Sequence, residues 1–261
     1  MYKAYRVYVI KIKDIAIFVM LLIIGVLMAW IIYSGMQFRS MNTTVRKKQV
    51  PIYYVHTDEK VVSITFDCAW GDSDIGDILK TLKENDVKAS FFIVGTWAER
   101  FPQTVKLIAD EGHDIASHGY GHFRMSALSR ERIREDILKC ERVLYEITGQ
   151  KVELFRPPYG DYNDDVVDIA RNLNYYTIQW NIDSLDWKKN MSREDILKRV
   201  VNNVKPGSII LFHNDTLHTA KLLPEIIRTL KEKGYSFLPV SKLIIRDNYF
   251  IDFDGAQKSK P

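Results

Sequence analysis

From residue 61 onward, short β-branched or aromatic runs alternate with longer segments in which apolar residues recur every third or fourth position. A period of two marks a strand, and a period near 3.6 marks a helix with one buried face. On this pattern strands are predicted over 61–67, 89–94, 114–116, 154–156, 175–181, 208–212 and 236–239. Helices are predicted between them, over 75–85, 104–111, 129–148, 164–172, 192–203 and 220–233. Gly112, Gly149 and Gly234 stand where a left-handed C-terminal cap favours glycine, and Ser129 and Ser192 stand where an N-cap hydroxyl takes up a free amide. Strands that alternate with helices imply parallel βαβ units. Seven of them in one region predict an α/β fold, a distorted, incomplete (β/α) barrel spanning 59–245.

Ahead of this region the pattern changes. Residues 15–33 carry no charge and are almost wholly apolar, long enough to cross a hydrocarbon core of roughly 30 Å. A transmembrane helix is expected there, with 1–14 as a short cytoplasmic tail and 34–58 as a polar extracytoplasmic linker. A cleaved signal peptide competes with that reading, but the run exceeds a usual signal core and no small-x-small cleavage pattern follows Trp30. Lys3, Arg6, Lys11 and Lys13 on one flank balance Arg39, Arg46, Lys47 and Lys48 on the other, so charge does not set the orientation. The large domain is placed outside because its inferred substrate is external. The polar stretch 246–261 is expected to be a mobile tail.

Composition narrows the function classes. The net charge of +4 is modest and lies partly beside the apolar segment, which leaves no footprint for nucleic acid. Two cysteines make no disulfide framework, and no repeat or sustained heptad implies a protein partner.

Polar residues at strand ends carry the candidate chemistry, because catalytic side chains of barrels sit at the C-terminal ends of strands. His118 and His122, four apart, share a face if the segment coils, so both imidazoles can meet one divalent ion. Asp67 closes the first strand, as a general base or as a helix cap. Arg156, emerging from another strand, needs an anion if buried and would hold Asp67 ionised. Pro157 and Pro158 stiffen the next loop, as fixed oxyanion-binding amides require. The loop 181–187 holds Asp183, Asp186 and Trp187: one acid could orient a histidine, and the indole could stack on a sugar or pack in the core. His213 ends an apolar strand as a candidate general acid. His56, His113 and His218 are read as structural or solvated, and Asp72 and Asp74 as loop acids.

Five such segments in this order resemble the polysaccharide deacetylase family, the NodB-homology domain of carbohydrate esterase family 4, and most of all the membrane-anchored spore and cell-wall deacetylases of Gram-positive bacteria. The resemblance spans about 61–243 and implies the barrel fold. It implies Asp67 as catalytic base, His118 and His122 as metal ligands, and Arg156 as the residue that orients the base. It also implies the Tyr159 amide, beside Pro158, in the oxyanion hole, Asp183 tuning the acid, Trp187 walling the groove, and His213, following Leu211, as the acid. Two positions depart from the pattern: Gly119 replaces a serine or threonine, and Cys68 replaces a metal-binding aspartate. A Cys68 thiolate would complete a zinc site with the two histidines; cobalt and manganese are the other metals to be considered. The implied activity is metal-dependent removal of N-acetyl groups from N-acetylglucosamine-type residues in peptidoglycan or a related glycan. The alternative is a cell-surface glycan-binding protein with impaired chemistry.

Overall fold

The structure, a computed structural model, describes residues 11–40 and 48–260, with side chains omitted for 35–40. The predicted tail 1–14 and linker 34–58 lie partly outside these residues. The chain divides between Lys47 and Lys48 into two units, each described by itself.

In the first unit a single helix runs over Ile12–Ser40. Its stretch Ile12–Ser34 contains the predicted 15–33 span and is long and apolar enough to cross a membrane, by length and composition.

The second unit is built on a curled parallel sheet. Its order is Tyr176–Thr177, Leu154–Phe155, Asp114–Ser117, Ser90–Ile93, Val61–Cys68, Ile209–His213, Ile182–Asp183, and Ser236–Phe237 pairs with the beginning of the central strand. Curling follows from connectivity. The two edge strands are joined by residues 178–181 alone. Five residue steps span at most about 17 Å, whereas the edges of a flat seven-stranded sheet would lie about 29 Å apart at a spacing of about 4.8 Å. The predicted strand 175–181 is therefore cut to Tyr176–Thr177, and its remainder forms the barrel's seam. Asn181 fastens that seam: its Oδ1 accepts from the Ile209 amide at 2.9 Å and its Nδ2 donates to Ser208 Oγ at 3.0 Å.

Alternation along the central strand divides the core. Val62, Ile64, Phe66 and Cys68 face the helices, with Ile78, Leu82, Phe91, Ile137 and Phe212. Val61 packs in a second cluster with Phe92, Ala116, Leu154, Ile178 and Ile209 inside the barrel. The helices match expectation closely: Ser129 caps Arg130–Thr148, Ser192 caps Arg193–Asn203, and Gly149 ends the former at φ +68°. The helix expected at 104–111 begins at Pro102, where proline suits a first turn, and a separate helix covers Gly95–Arg100.

Two stretches differ from expectation. The C-terminal residues are no mobile tail: Tyr249–Ile251 and Ala256–Ser259 form a hairpin, and the second strand pairs with Tyr54–Val55. Ala256 and Gln257 are fully buried, as are Ile52 and Val55 in the supposed linker. Apolar Ile52 and Val55 inside a polar stretch supply the cause, because their burial draws both ends of the unit together.

His113 is structural, as read: it is buried, and its Nδ1 accepts from the Ala89 amide at 3.1 Å. Burial, with a smaller contribution from Lys88, moves its pKa down from 6.5 to about 4. Between those values the unfolded chain binds a proton that the folded chain refuses, so His113 makes stability fall as pH drops below 6.5. Urea unfolding at pH 7 and pH 5 should show an extra loss on the order of 2 kcal/mol in the natural chain relative to His113→Gln. Equal losses in both would contradict this.

Candidate active site

Asp67 and Thr65 point into the barrel from the central strand, and Arg156 meets them there. The Arg156 guanidinium is fully buried, stacked 3.8 Å from the Phe92 ring centre. Its Nη1 donates to Asp67 Oδ1 at 2.6 Å and Thr65 Oγ1 at 3.0 Å, and its Nη2 donates to the Gln179 carbonyl at 3.1 Å. Burial alone would raise the Asp67 pKa, but the Arg156 charge and its hydrogen bond, helped by the neighbouring imidazoles, outweigh it and hold the carboxyl below its usual range. Asp67 is ionised at neutral pH.

His118 follows the strand Asp114–Ser117. Its Nδ1 lies 2.8 Å from the Arg156 carbonyl oxygen, an acceptor only, so Nδ1 carries the hydrogen and Nε2 presents a lone pair. That lone pair lies 3.4 Å from Asp67 Oδ2. Burial lowers the His118 pKa, and burial, with the neighbouring His118, brings His122 to about 4, so both imidazoles are neutral donors at neutral pH. Their rings lie 5.2 Å apart.

Cys68 does not join them. One residue beyond Asp67 on an extended strand, it faces the opposite side, fully buried in the helix-facing core. Burial, added to the charges of Asp67 and Asp74, pushes its thiol well above the ordinary value, so no thiolate is available. The expected zinc site through Cys68 is corrected accordingly. Asp72 is engaged by Thr104 and Asp74 by the Asp215 amide. Among the described residues, no group of three His, Cys, Asp or Glu side chains could hold a metal ion. The donor set among the described residues falls short of a complete metal site.

His213 stands directly opposite Asp67 in the register of adjacent strands. The acid that holds it by hydrogen bonds is Asp186; the expected Asp183 acts on it through its charge alone. Asp186 Oδ1 lies 2.8 Å from His213 Nδ1, and Oδ2 accepts from the His213 amide at 2.8 Å and Thr219 Oγ1 at 2.5 Å. Asp183 instead accepts from the Leu185 amide at 2.9 Å, its side chain turned into its own loop. For His213, burial lowers the pKa, but Asp186, with Asp67 and Asp183, more than compensates and raises it above 6.5. Its Nδ1 is taken up by Asp186, which leaves Nε2 as the ring nitrogen that can pass a proton to a substrate.

Asp67, His118, His122, Asp183, Asp186 and His213 line a cavity of about 950 Å³, together with Leu211, Trp180, Arg124 and His218, the last read from sequence as structural or solvated. Trp70, Tyr159 and Trp187 line it too and are each about half exposed. Trp70, which sequence reasoning missed, sits edge-on to His122 with ring centres 5.9 Å apart. Four of the seven non-glycine residues with positive φ among those described, His122, Tyr159, Leu185 and Asp215, belong to segments that line the cavity. Such conformations cost free energy and persist where surrounding structure enforces them.

Residues 54–178 match the family model for polysaccharide deacetylase. A peptidoglycan-N-acetylglucosamine deacetylase of Bacillus cereus is 35% identical over 209 residues, covering 77% of this chain and 97% of that protein. The uncharacterized protein YlxY of Bacillus subtilis is 34% identical over 194 residues; the match covers 74% of this chain but only 60% of YlxY. The structure of a mutant of BA3943, a CE4 family pseudoenzyme from Bacillus anthracis, with restored enzymatic activity, superposes with TM-score 0.72 and 39% identity. It covers 74% of this chain and 70% of that one.

Arg156→Met would leave Asp67 buried without its cation, and urea unfolding should show a loss of about 3–5 kcal/mol. Adding Asp67→Asn should recover part of that loss. Additive losses in the double variant would show that the pair is not coupled.

Proposed function

The chain belongs to the polysaccharide deacetylase family, hydrolases acting on amide bonds, and on that premise we propose that it removes N-acetyl groups from N-acetylglucosamine-type residues of peptidoglycan or a related envelope glycan. The observation that carries the reading is geometric: on one cavity Asp67, paired with Arg156, stands directly opposite His213, paired with Asp186. Amide hydrolysis needs both at once: a base to take a proton from water as it attacks the carbonyl, and an acid to protonate the departing amine. Asp67, aimed by Arg156, is the base. His213, oriented by Asp186, is the acid. The Tyr159 amide, on a loop entered through Pro157 and Pro158, is assigned to the developing oxyanion. Leu211 and Trp187 are assigned to the acetyl group and the apolar face of the sugar.

Deacetylases of this family are generally dependent on a divalent metal. In this chain His118 and His122 are the donors for such an ion, and a set of two imidazoles predicts loose retention. The same shortfall favours a second reading, a glycan-binding protein with impaired chemistry. The BA3943 pseudoenzyme shows that this fold occurs without activity. We place the domain outside the membrane, held by the apolar helix at 15–33, because peptidoglycan deacetylases act there. A role in spore formation follows only from the sequence resemblance.

The reading is tested by acetate release from acetylated chitooligosaccharide and from peptidoglycan, using the full chain in detergent. The natural chain should release acetate, and His213→Ala should lower the rate about 10²-fold or more. Glycan binding with no release, with zinc, cobalt or manganese added, would select the second reading. Dialysis should strip metal readily from the natural chain, and Cys68→Ala should leave zinc affinity unchanged. A weaker zinc affinity in that variant would restore the thiol to the site.

A further inference from the structure

The loop that carries both imidazoles is held by a carboxylate outside the five matched segments. Asp136 lies on the helix Arg130–Thr148, on its buried face with Ile133, Ile137, Cys140 and Leu144. It is only 6% exposed. Its Oδ2 accepts from the Tyr120 amide at 2.7 Å and its Oδ1 from the Gly121 amide at 3.0 Å. On the other side of the loop, the Gly119 and Tyr120 carbonyls accept from the Gly95 and Thr96 amides at 2.9 and 3.1 Å. The Gly119 amide donates to Ser117 Oγ at 3.3 Å. Every backbone amide from 119 to 121 thus has a partner, and one carboxylate supplies two of them.

Gly119 is what lets the carboxylate approach. Its φ is +72°, and a Cβ placed there would lie 2.7 Å from Asp136 Oδ2 and 2.8 Å from Met125 Cε. A side chain at 119 would therefore be strained and would crowd the carboxylate. Immediately after the pinned amides comes His122, itself at φ +54°. A left-handed residue costs free energy, and the fixed amides before it help to hold it there.

We infer that Asp136 is the positioning residue of this site: through the Tyr120 and Gly121 amides, and in the space left by Gly119, it fixes where the His122 imidazole stands. Its effect on turnover presupposes the deacetylase reading, whereas its hold on the two amides does not.

Hydrogen exchange by mass spectrometry and imidazole NMR of the full chain in detergent separate the two. In Asp136→Asn, one acceptor oxygen becomes an amide donor facing a backbone N–H. Exchange over 119–121 should accelerate about tenfold or more, the His122 imidazole signals should move, and exchange over the central strand 61–68 should stay as in the natural chain. Gly119→Ala, which keeps the carboxylate but crowds it, should give the same pattern and serves where Asp136→Asn does not fold. In the acetate assay, kcat should fall about tenfold with KM held within about twofold, as expected for a misplaced group that does not bind substrate. Unchanged exchange at 119–121, or acceleration equally shared by 61–68, would overturn the inference. A natural chain that releases no acetate would sink the deacetylase reading alone, since the exchange and NMR results still decide the role of Asp136.

Discussion

A guanidinium and a carboxylate buried together inside a barrel are the constraint on which the rest of this structure depends. Arg156 is fully buried, and Asp67 nearly so. Removing either charge from water costs several kcal/mol, and only close pairing with further hydrogen bonds offsets it. Thr65, the Gln179 carbonyl and the Phe92 ring supply the rest of the environment around Arg156. These partners come from two strands and the seam, so the pair forms only when the sheet has curled. The same pair serves chemistry: with Arg156 in place, Asp67 keeps its negative charge where burial alone would have protonated it.

The neighbouring groups take their protonation states from this arrangement. His118 is locked by the Arg156 backbone carbonyl into the tautomer that leaves Nε2 free. His213, opposite Asp67, is held by Asp186 and drawn to its proton by three carboxylates. A base and an acid thus coexist in one cavity because their environments push their pKa values apart, the general requirement for hydrolysis near neutral pH. Cys68 adds no donor to this arrangement. It faces the core, and its thiol stays protonated there.

Most of the fold was legible because hydrophobic period reports directly on which face is buried. The strands 61–67 and 208–212 and the helices 129–148 and 164–172 lie within a residue or two of those observed. The seam at 175–181 was not, since curling comes from connectivity across the whole sheet and leaves no local period. The hairpin ending at Ser259 was hidden by its polar composition, its burial depending on Ile52 and Val55 some 200 residues earlier. In the site, Asp67, His118, Arg156 and His213 were visible as polar ends of apolar strands, and His122 by its spacing from His118. The choice between Asp183 and Asp186 was not, because turn geometry at Leu185 decides which carboxylate reaches the histidine. Cys68 carried a signal that was passed over: adjacent residues on a strand face opposite ways. Asp136 carried one too, an acid in step with Ile133, Cys140 and Leu144 on an apolar face.

The account stands on His213 keeping its proton beside an ionised Asp67. NMR titration of the His213 imidazole in the full chain measures this directly. A midpoint above 6.5 that falls when Asp186 is changed to Asn is the predicted result. A midpoint at or below 6.5, unmoved by Asp186→Asn, would mean that the ring is a neutral neighbour of Asp67, and the acid assigned to this site would be lost.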